Sequence, residues 1–241
     1  WIWGYYFFKD SPILNNEFII KFLKALLIHG RFIINNLEKR IITNNHYISN
    51  LVGLLYIGIM FPEFKESKKW REFAIKELID EMEKQIYPDG VDYEGSTCYH
   101  RLVTELFISA TLLCLKNSSM FQNSKYANLK SNFPPFPSLY MERLEKMIEF
   151  VMYYTKPDSL APQIGDNDDG RAHILSNYGN WNKWDHTYLI SAGAILFANP
   201  KFKNFASKLH EETFWLFGLD GLDVFHSIPN VNIKLTSKGF S

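Results

Sequence analysis

The chain has 241 residues, 46% apolar and 16% aromatic, enough to bury a substantial core and too apolar for a disordered segment. Lys plus Arg and Asp plus Glu each total 26, so the formal net charge is zero, which excludes the basic excess of a general nucleic-acid binder. The 20 Phe, 13 Tyr and 6 Trp exceed what a core requires. Such rings also line carbohydrate grooves, where the C–H face of a sugar packs on an aromatic face.

In chain order, the opening WIWGYYFFKD lacks the basic start and small-residue cleavage site of a signal peptide. Its aromatics read as the end of a core helix, and a chain that opens on Trp1 without Met reads as a fragment. Amphipathic spacing of Phe18, Phe22, Leu26 and Ile33 through Leu37 predicts a helix over 16–38. Residues 46–60 are nearly all apolar and predict a helix buried on both sides, stopped by Pro62. No stretch reaches the roughly 18 uncharged apolar residues of a membrane span, and LVGLLYIGIMF at 51–61 is too short.

Residues 66–86 read as a surface helix, with Trp70, Phe73, Ala74, Leu78, Met82 and Ile86 as its apolar stripe and its charges as a solvated face. A further helix is expected over 96–115. It carries both cysteines, Cys98 and Cys114, which at 1.5 Å rise lie about 24 Å apart, too far for a mutual disulfide. The polar, then Pro-rich stretch 117–138 reads as a surface loop. Helices follow at 139–154, 185–198 and 201–217, with the acidic loop KPDSLAPQIGDNDDGRA between the first two. An alternating strand pattern begins only in VNIKLTSKGF at the C-terminus. Helices of about 15–22 residues recurring as hairpin pairs predict an all-α fold, an (α/α) barrel or toroid rather than a compact bundle.

Three clusters could carry chemistry. Thr43-Asn44-Asn45-His46 opens a helix, where the first N–H groups and the dipole favour an anion. Asn44 and Asn45 are either caps or amide donors to a substrate carboxylate, and His46 either packs or joins them. In QIYPDGVDYEGSTCYHRLV, residues 85–103, Tyr99 shares a helical face with Val103, Leu106, Ala110 and Leu113, at the end of an expected buried stripe. His100 lies about 100° round the helix, so Tyr99 is either a core-edge residue or a catalyst and its neighbour need not share its ligand. The third cluster is Gln163-Ile164-Gly165-Asp166-Asn167-Asp168-Asp169-Gly170-Arg171. It lacks the twelfth-position Glu of a calcium loop, so its aspartates organise the loop and orient Arg171, touch substrate, or serve with Glu94 as glycosidase acid and base. His186 and His173 are further candidates, while His29 and His210 read as structural. No zinc pattern, phosphate loop or nucleophile elbow occurs.

NNHYISNLVGLLYIGIMFPEF, QIYPDGVDYEGSTCYHRLV and APQIGDNDDGR, in that order, resemble the heparinase II/III family of polysaccharide lyases, including its alginate-acting relatives. The resemblance implies an incomplete (α/α) toroid over 1–228, with 229–241 as linker or first strand of a β-sandwich domain. It implies β-elimination on an acidic, uronate-containing polysaccharide, with no cofactor, no metal and no nucleic-acid partner. Tyr99, His46 and Asn45 would be catalytic; Asn44, Glu94, His100, Gln163, Asp166, Asp168 and Arg171 would bind substrate. Arg101 or Arg171 would lower the Tyr99 pKa if that residue acts as base. The family's other catalytic histidine belongs to the β-sandwich region, outside this chain. A periplasmic or secreted site is implied, with a cytoplasmic one also open. The alternatives are an (α/α)-barrel glycoside hydrolase and a non-catalytic glycan-binding or polysaccharide-assembly protein.

Overall fold

The helical periodicity of the sequence becomes nine α-helices among the residues that the computed structural model describes, 1–121, 135–168, 170–175 and 182–231. They are α1 (Ile2–Phe8), α2 (Asn16–Asn35), α3 (Asn45–Met60), α4 (Ser67–Gln85), α5 (Thr97–Lys116), α6 (Ser138–Tyr154), α7 (Thr187–Phe197), α8 (Pro200–Ala206) and α9 (Glu211–Ser227), with a 3₁₀ turn at Ser118–Phe121. No sheet occurs among the described residues, and the strand expected in VNIKLTSKGF lies outside them. Most of the loop expected over 117–138 also falls outside them. The chain forms two compact units, Trp1–Ile86 with Leu106–Glu142, and Tyr87–Glu105 with Arg143–Ser241.

In the first unit α3 packs against α1, α2 and α4. Its apolar sequence is buried on both sides as expected, with Tyr47, Ile48, Leu51, Leu54 and Leu55 fully enclosed. Phe136 stacks on Tyr140 at 4.1 Å between ring centres, and Tyr140 meets Phe107 edge-on at 5.6 Å. The N-terminal aromatics do not end a core helix: α1 has no buried residue, and Trp1, Phe7 and Phe8 are exposed. Tyr5 stacks on Phe22 at 5.3 Å, and the Tyr6 hydroxyl donates to the Met60 carbonyl at 2.9 Å.

The charged face of α4 is not wholly solvated, contrary to its sequence pattern. Glu77, Glu81 and Gln85 recur every four residues on one side of the helix and are buried. They receive the segment that leads into α3. The Tyr47 hydroxyl donates to Glu77 Oε2 at 2.6 Å and Lys39 pairs with the same oxygen at 2.5 Å. The Thr43 hydroxyl donates to Glu81, which Gln85 Nε2 and Lys84 also reach, at 2.7 and 2.9 Å. Periodicity weighs apolar residues and therefore misses a polar stripe buried by its partners.

In the second unit α7 packs against α8 and α9, around Leu189, Ile190, Ala194, Phe202 and Phe217. The single helix expected over 201–217 is instead two. Asn199 caps α8, its side chain accepting the Lys201 N–H at 2.9 Å, and Pro200 opens the first turn. Ser207 then turns left-handed (φ 60°) and bonds back to the Lys203 carbonyl, which ends the helix. The apolar spacing runs on through this break, so it carried no sequence signal. In α9, Gly218 (φ 68°, ψ −160°) introduces a kink.

α5 is long and apolar enough to cross a membrane by length and composition, yet most of it is buried inside the protein. It carries fully buried Arg101 and buried Glu105, as a core helix with polar duties does. Both cysteines are buried and are not joined to each other, as their spacing requires.

Two stability predictions follow from this packing. Gly90 sits at φ 92°, and a Cβ there would stand 2.2 Å from the Lys146 carbonyl carbon and 2.5 Å from the Met147 nitrogen. Gly90→Ala should destabilise the second unit by about 3 kcal/mol, read as a lowered thermal midpoint. Burial alone would raise the Glu77 pKa, but hydrogen bonds from Lys39, Tyr47 and Lys76 outweigh it and hold it at about 2. This lies below the unfolded value of about 4.3, so the ionised carboxylate contributes stability that is complete above about pH 5 and lost as pH falls toward about 2. Glu77→Gln should cost about 2 kcal/mol at neutral pH and flatten that part of the acid limb. An unchanged acid limb in thermal melts would refute the assignment.

Candidate active site

The Thr43–His46 cluster opens α3 in the first unit. Asn44 is the N-cap, its side chain accepting the His46 N–H at 3.2 Å, and it is half-buried. Asn45 is 8% exposed, and His46 stands exposed with Nδ1 3.2 Å from Glu38 Oε2. The buried stripe of α4 fixes the approach to this turn, with Gln85 Nε2 3.5 Å from the Asn44 carbonyl. A helix N-terminus with an amide and an imidazole beside it is of a kind that suits a carboxylate.

In the second unit the Pro88-Asp89-Gly90 turn closes by a bond from the Gly90 N–H to the Tyr87 carbonyl at 2.9 Å. The chain then enters α5 through Ser96, whose Oγ accepts the Tyr99 N–H at 3.1 Å. Between Ser96 and Cys114 only Tyr99 and Leu102 are not buried, one helical turn apart. Of the two readings left open for Tyr99, the structure places it at the edge of the core, on the open strip of α5, and it puts His100 in the core. Because α5 is enclosed almost all round, apolar spacing could not tell which strip stays open.

His100 is 1% exposed, and both ring nitrogens are engaged by main chain. Nδ1 accepts the Asp92 N–H at 3.3 Å, which places the proton on Nε2, 3.0 Å from the Met147 carbonyl. Burial lowers its pKa to about 4, so it is neutral. It joins the 92 turn to α6 rather than reaching a ligand, which corrects its expected substrate-binding role.

The acidic loop is seated on the first turns of α5. Thr97 bonds the carbonyls of Pro162, through Oγ1 at 2.8 Å, and of Ile164, through its N–H at 3.1 Å. The Ser96 hydroxyl donates to the Asp166 carbonyl at 2.6 Å. Arg101 donates to the carbonyls of Gly170 at 2.6 Å, Asp168 at 3.4 Å and Lys183 at 3.2 Å. Gly165 (φ 71°) lets the loop pass close, since a Cβ there would lie 2.4 Å from the Gly95 oxygen. Two of the aspartates organise their own turns. Asp166 Oδ1 accepts the Asn167 N–H at 2.9 Å, and Asp168 Oδ1 accepts the Gly170 N–H at 2.6 Å. Asp169 lies outside the described residues. Gln163, Asp166 and Asp168 are exposed and Glu94 is half-buried, so these four expected ligand-binding positions are open to a ligand.

The Tyr99 hydroxyl stands 3.5 Å from Asp166 Oδ2. Its pKa is pushed above the usual phenol value of about 10, by desolvation and then by the charges of Asp166, Asp168 and Glu94. The expectation that Arg101 or Arg171 would lower it is overturned. Arg101 is spent on main-chain carbonyls, and Arg171 is sequestered with its side chain 2% exposed. Arg171 lies between Glu105 (3.6 Å) and Glu212 (3.4 Å), its guanidinium over the Tyr188 ring at 4.7 Å. Its expected substrate contact becomes a structural one.

Glu105, one turn beyond Arg101, is the member of this network that the sequence reading missed. It accepts the Ala172 N–H at 2.5 Å and the Tyr188 hydroxyl. Burial pushes its carboxyl up to about 7 against the pull of Arg171, the Ala172 N–H and Arg101. The available signal was a charged pair four apart inside an otherwise apolar helix. His186 does not face an open surface. It is fully buried, taking the Tyr154 hydroxyl on Nδ1 at 2.8 Å and giving Nε2–H to the Lys183 carbonyl at 3.2 Å. His173 is half-buried, its pKa lowered to about 4 by burial and by Arg171.

Residues 2–188, which hold every element of these clusters, match the sequence model described as Heparinase II/III N-terminus. The chain is 29% identical over 160 residues to a heparin-sulfate lyase of Pedobacter heparinus, covering 66% of this chain and 22% of that protein. It is 30% identical over 177 residues to a heparin-sulfate lyase of Bacteroides stercoris, covering 73% and 24%. It thus spans less than a quarter of the length of these curated relatives. Among solved structures, the heparan sulfate lyase HepC of Pedobacter heparinus superposes with a TM-score of 0.59 at 26% identity, over 84% of this chain and 28% of that one. A heparinase III crystal structure gives 0.54 at 26% identity, over 66% and 22%. On the match of its sequence and the likeness of its helices to the toroid of these lyases, the chain belongs to the heparinase II/III family.

Proposed function

We propose that the whole protein cleaves a uronate-containing acidic polysaccharide of the heparan-sulfate or alginate kind by β-elimination, and that Tyr99 is its proton carrier. The observation that carries this reading is the placement of Tyr99: the one phenol on the open strip of α5, within the span that matches a lyase family. The relatives named above are lyases of heparin and heparan sulfate, which supports an acidic glycan as substrate.

The C5 proton of a uronate lies α to its carboxylate, so its removal builds a second negative charge on the sugar. Neutralising the carboxylate is the main electrostatic demand. Asn45 and His46, at the N-terminus of α3, supply an amide, an imidazole and the positive end of a helix for this. As the C5–H electrons form the C4–C5 double bond, the C4–O4 bond breaks and O4 takes a proton. Tyr99, held protonated by its acidic surroundings, suits that last step. The C5 proton goes to a base other than Tyr99, a role that the family resemblance gives to the histidine of the β-sandwich region. Gln163, Asp166, Asp168 and Glu94 are the proposed sugar contacts beside it, through the hydroxyl and amide groups of the glycan.

Tyr99→Phe in the whole protein should lower kcat by about 10²–10⁴-fold, with KM little changed, measured by ultraviolet absorbance of the unsaturated product. Full activity in this variant would end Tyr99's role. His46→Ala should reduce kcat/KM by about 10²-fold through lost charge stabilisation. A saturated product that disappears with Asp168→Asn would instead point to hydrolysis by Glu94 and Asp168.

A further inference from the structure

We propose that Arg101 is a positioning residue that controls the proton on Tyr99: by clamping the main chain that follows Asp166, at Asp168 and Gly170, it keeps the Asp166 carboxylate at the Tyr99 hydroxyl. This rests on the reading of Tyr99 as proton carrier. Arg101 is 1% exposed, and it takes no part at the open surface itself. Its guanidinium spans the carbonyls of Asp168 and Gly170 on the acidic loop and of Lys183 before α7. The Ser96 hydroxyl pins the Asp166 carbonyl from the other side. Asp166 itself is exposed; its carboxylate is turned by the Asn167 N–H on Oδ1, and the place of that turn depends on the main chain that carries it.

The charged and titratable groups facing Tyr99 are Asp166 and Asp168 from the loop and Glu94 from the turn before α5. Among these three, Asp166 has an oxygen at the Tyr99 hydroxyl, 3.5 Å away. All three favour the neutral phenol, and Asp166 supplies both charge and a hydrogen-bond acceptor. Lysine at position 101 keeps the positive charge but replaces a planar fork with a single ammonium, which cannot span three carbonyls. Arg101→Lys should therefore release Asp166 while leaving the net charge unchanged.

The test is the titration of Tyr99 in the whole protein without substrate, read as the ultraviolet difference between each variant and its Tyr99→Phe counterpart. Asp166→Asn should lower the Tyr99 pKa by about 0.5 unit, the size expected of one solvent-screened pair. Arg101→Lys should shift it in the same direction. The double variant should titrate with Asp166→Asn rather than show the sum, because each change breaks the same contact. Additive shifts, or an unshifted Tyr99 in Arg101→Lys, would overturn the positioning role. No shift in Asp166→Asn would overturn the role of Asp166. Should Arg101→Lys fail to fold, Arg101→Gln takes its place: its amide cannot span three carbonyls, and a Tyr99 pKa that does not fall there overturns the proposal. Because the titration needs no substrate, a protein inert on every uronate polymer would sink the lyase reading and still leave Arg101 to be decided.

Discussion

The second unit depends on one constraint: a loop rich in polar main chain must lie on an apolar helix without leaving buried carbonyls unsatisfied. α5 meets it with its own side chains. Ser96, Thr97 and Arg101 bond successive carbonyls of the loop, and Glu105 takes the Ala172 N–H. A buried peptide group without a partner costs about as much as a lost hydrogen bond. The polar residues of α5 are therefore tied to the loop as firmly as its apolar residues are tied to the core. Tyr99 and Asp166 meet because this seating brings their backbones together.

The first unit uses the same device in another place. Glu77, Glu81 and Gln85 of α4 are buried by the segment that carries Thr43, Asn44 and Tyr47. In both cases a helix presents polar groups at four-residue spacing to a loop: in the first unit the loop leads into Asn45 and His46, and in the second it lies beside Tyr99 of the helix itself. Glu77 shows how the energetics divide. Burial alone would favour its neutral form, and three donors reverse that preference.

The helices with strong apolar periodicity were legible from the sequence nearly to their ends: α3 was expected at 46–60 and spans Asn45–Met60, and α4 was expected at 66–86 and spans Ser67–Gln85. The break at Ser207 was not, because a left-handed serine looks like any other serine in a periodicity plot. Tyr99 was legible as a candidate, since a polar ring at a helix start is unusual and its motif is specific. The burial of His100 and the sequestration of Arg171 were not. Whether a charged or imidazole group faces solvent depends on partners 40 to 80 residues away, such as Met147 for His100 and Glu105 for Arg171. A single sequence read locally holds no record of those distances.

The helix grips the loop through the carbonyls of residues 162, 164, 166, 168 and 170, that is, through atoms every amino acid possesses. The side chains of Gln163, Asp166 and Asp168 stay outside that grip and face solvent. Position and chemistry are thus separable here. Natural variation could exchange the group displayed at Gln163, and with it the glycan the rim favours, while Asp166 and Asp168, which also organise their own turns, and the scaffold beneath hold the rim in place.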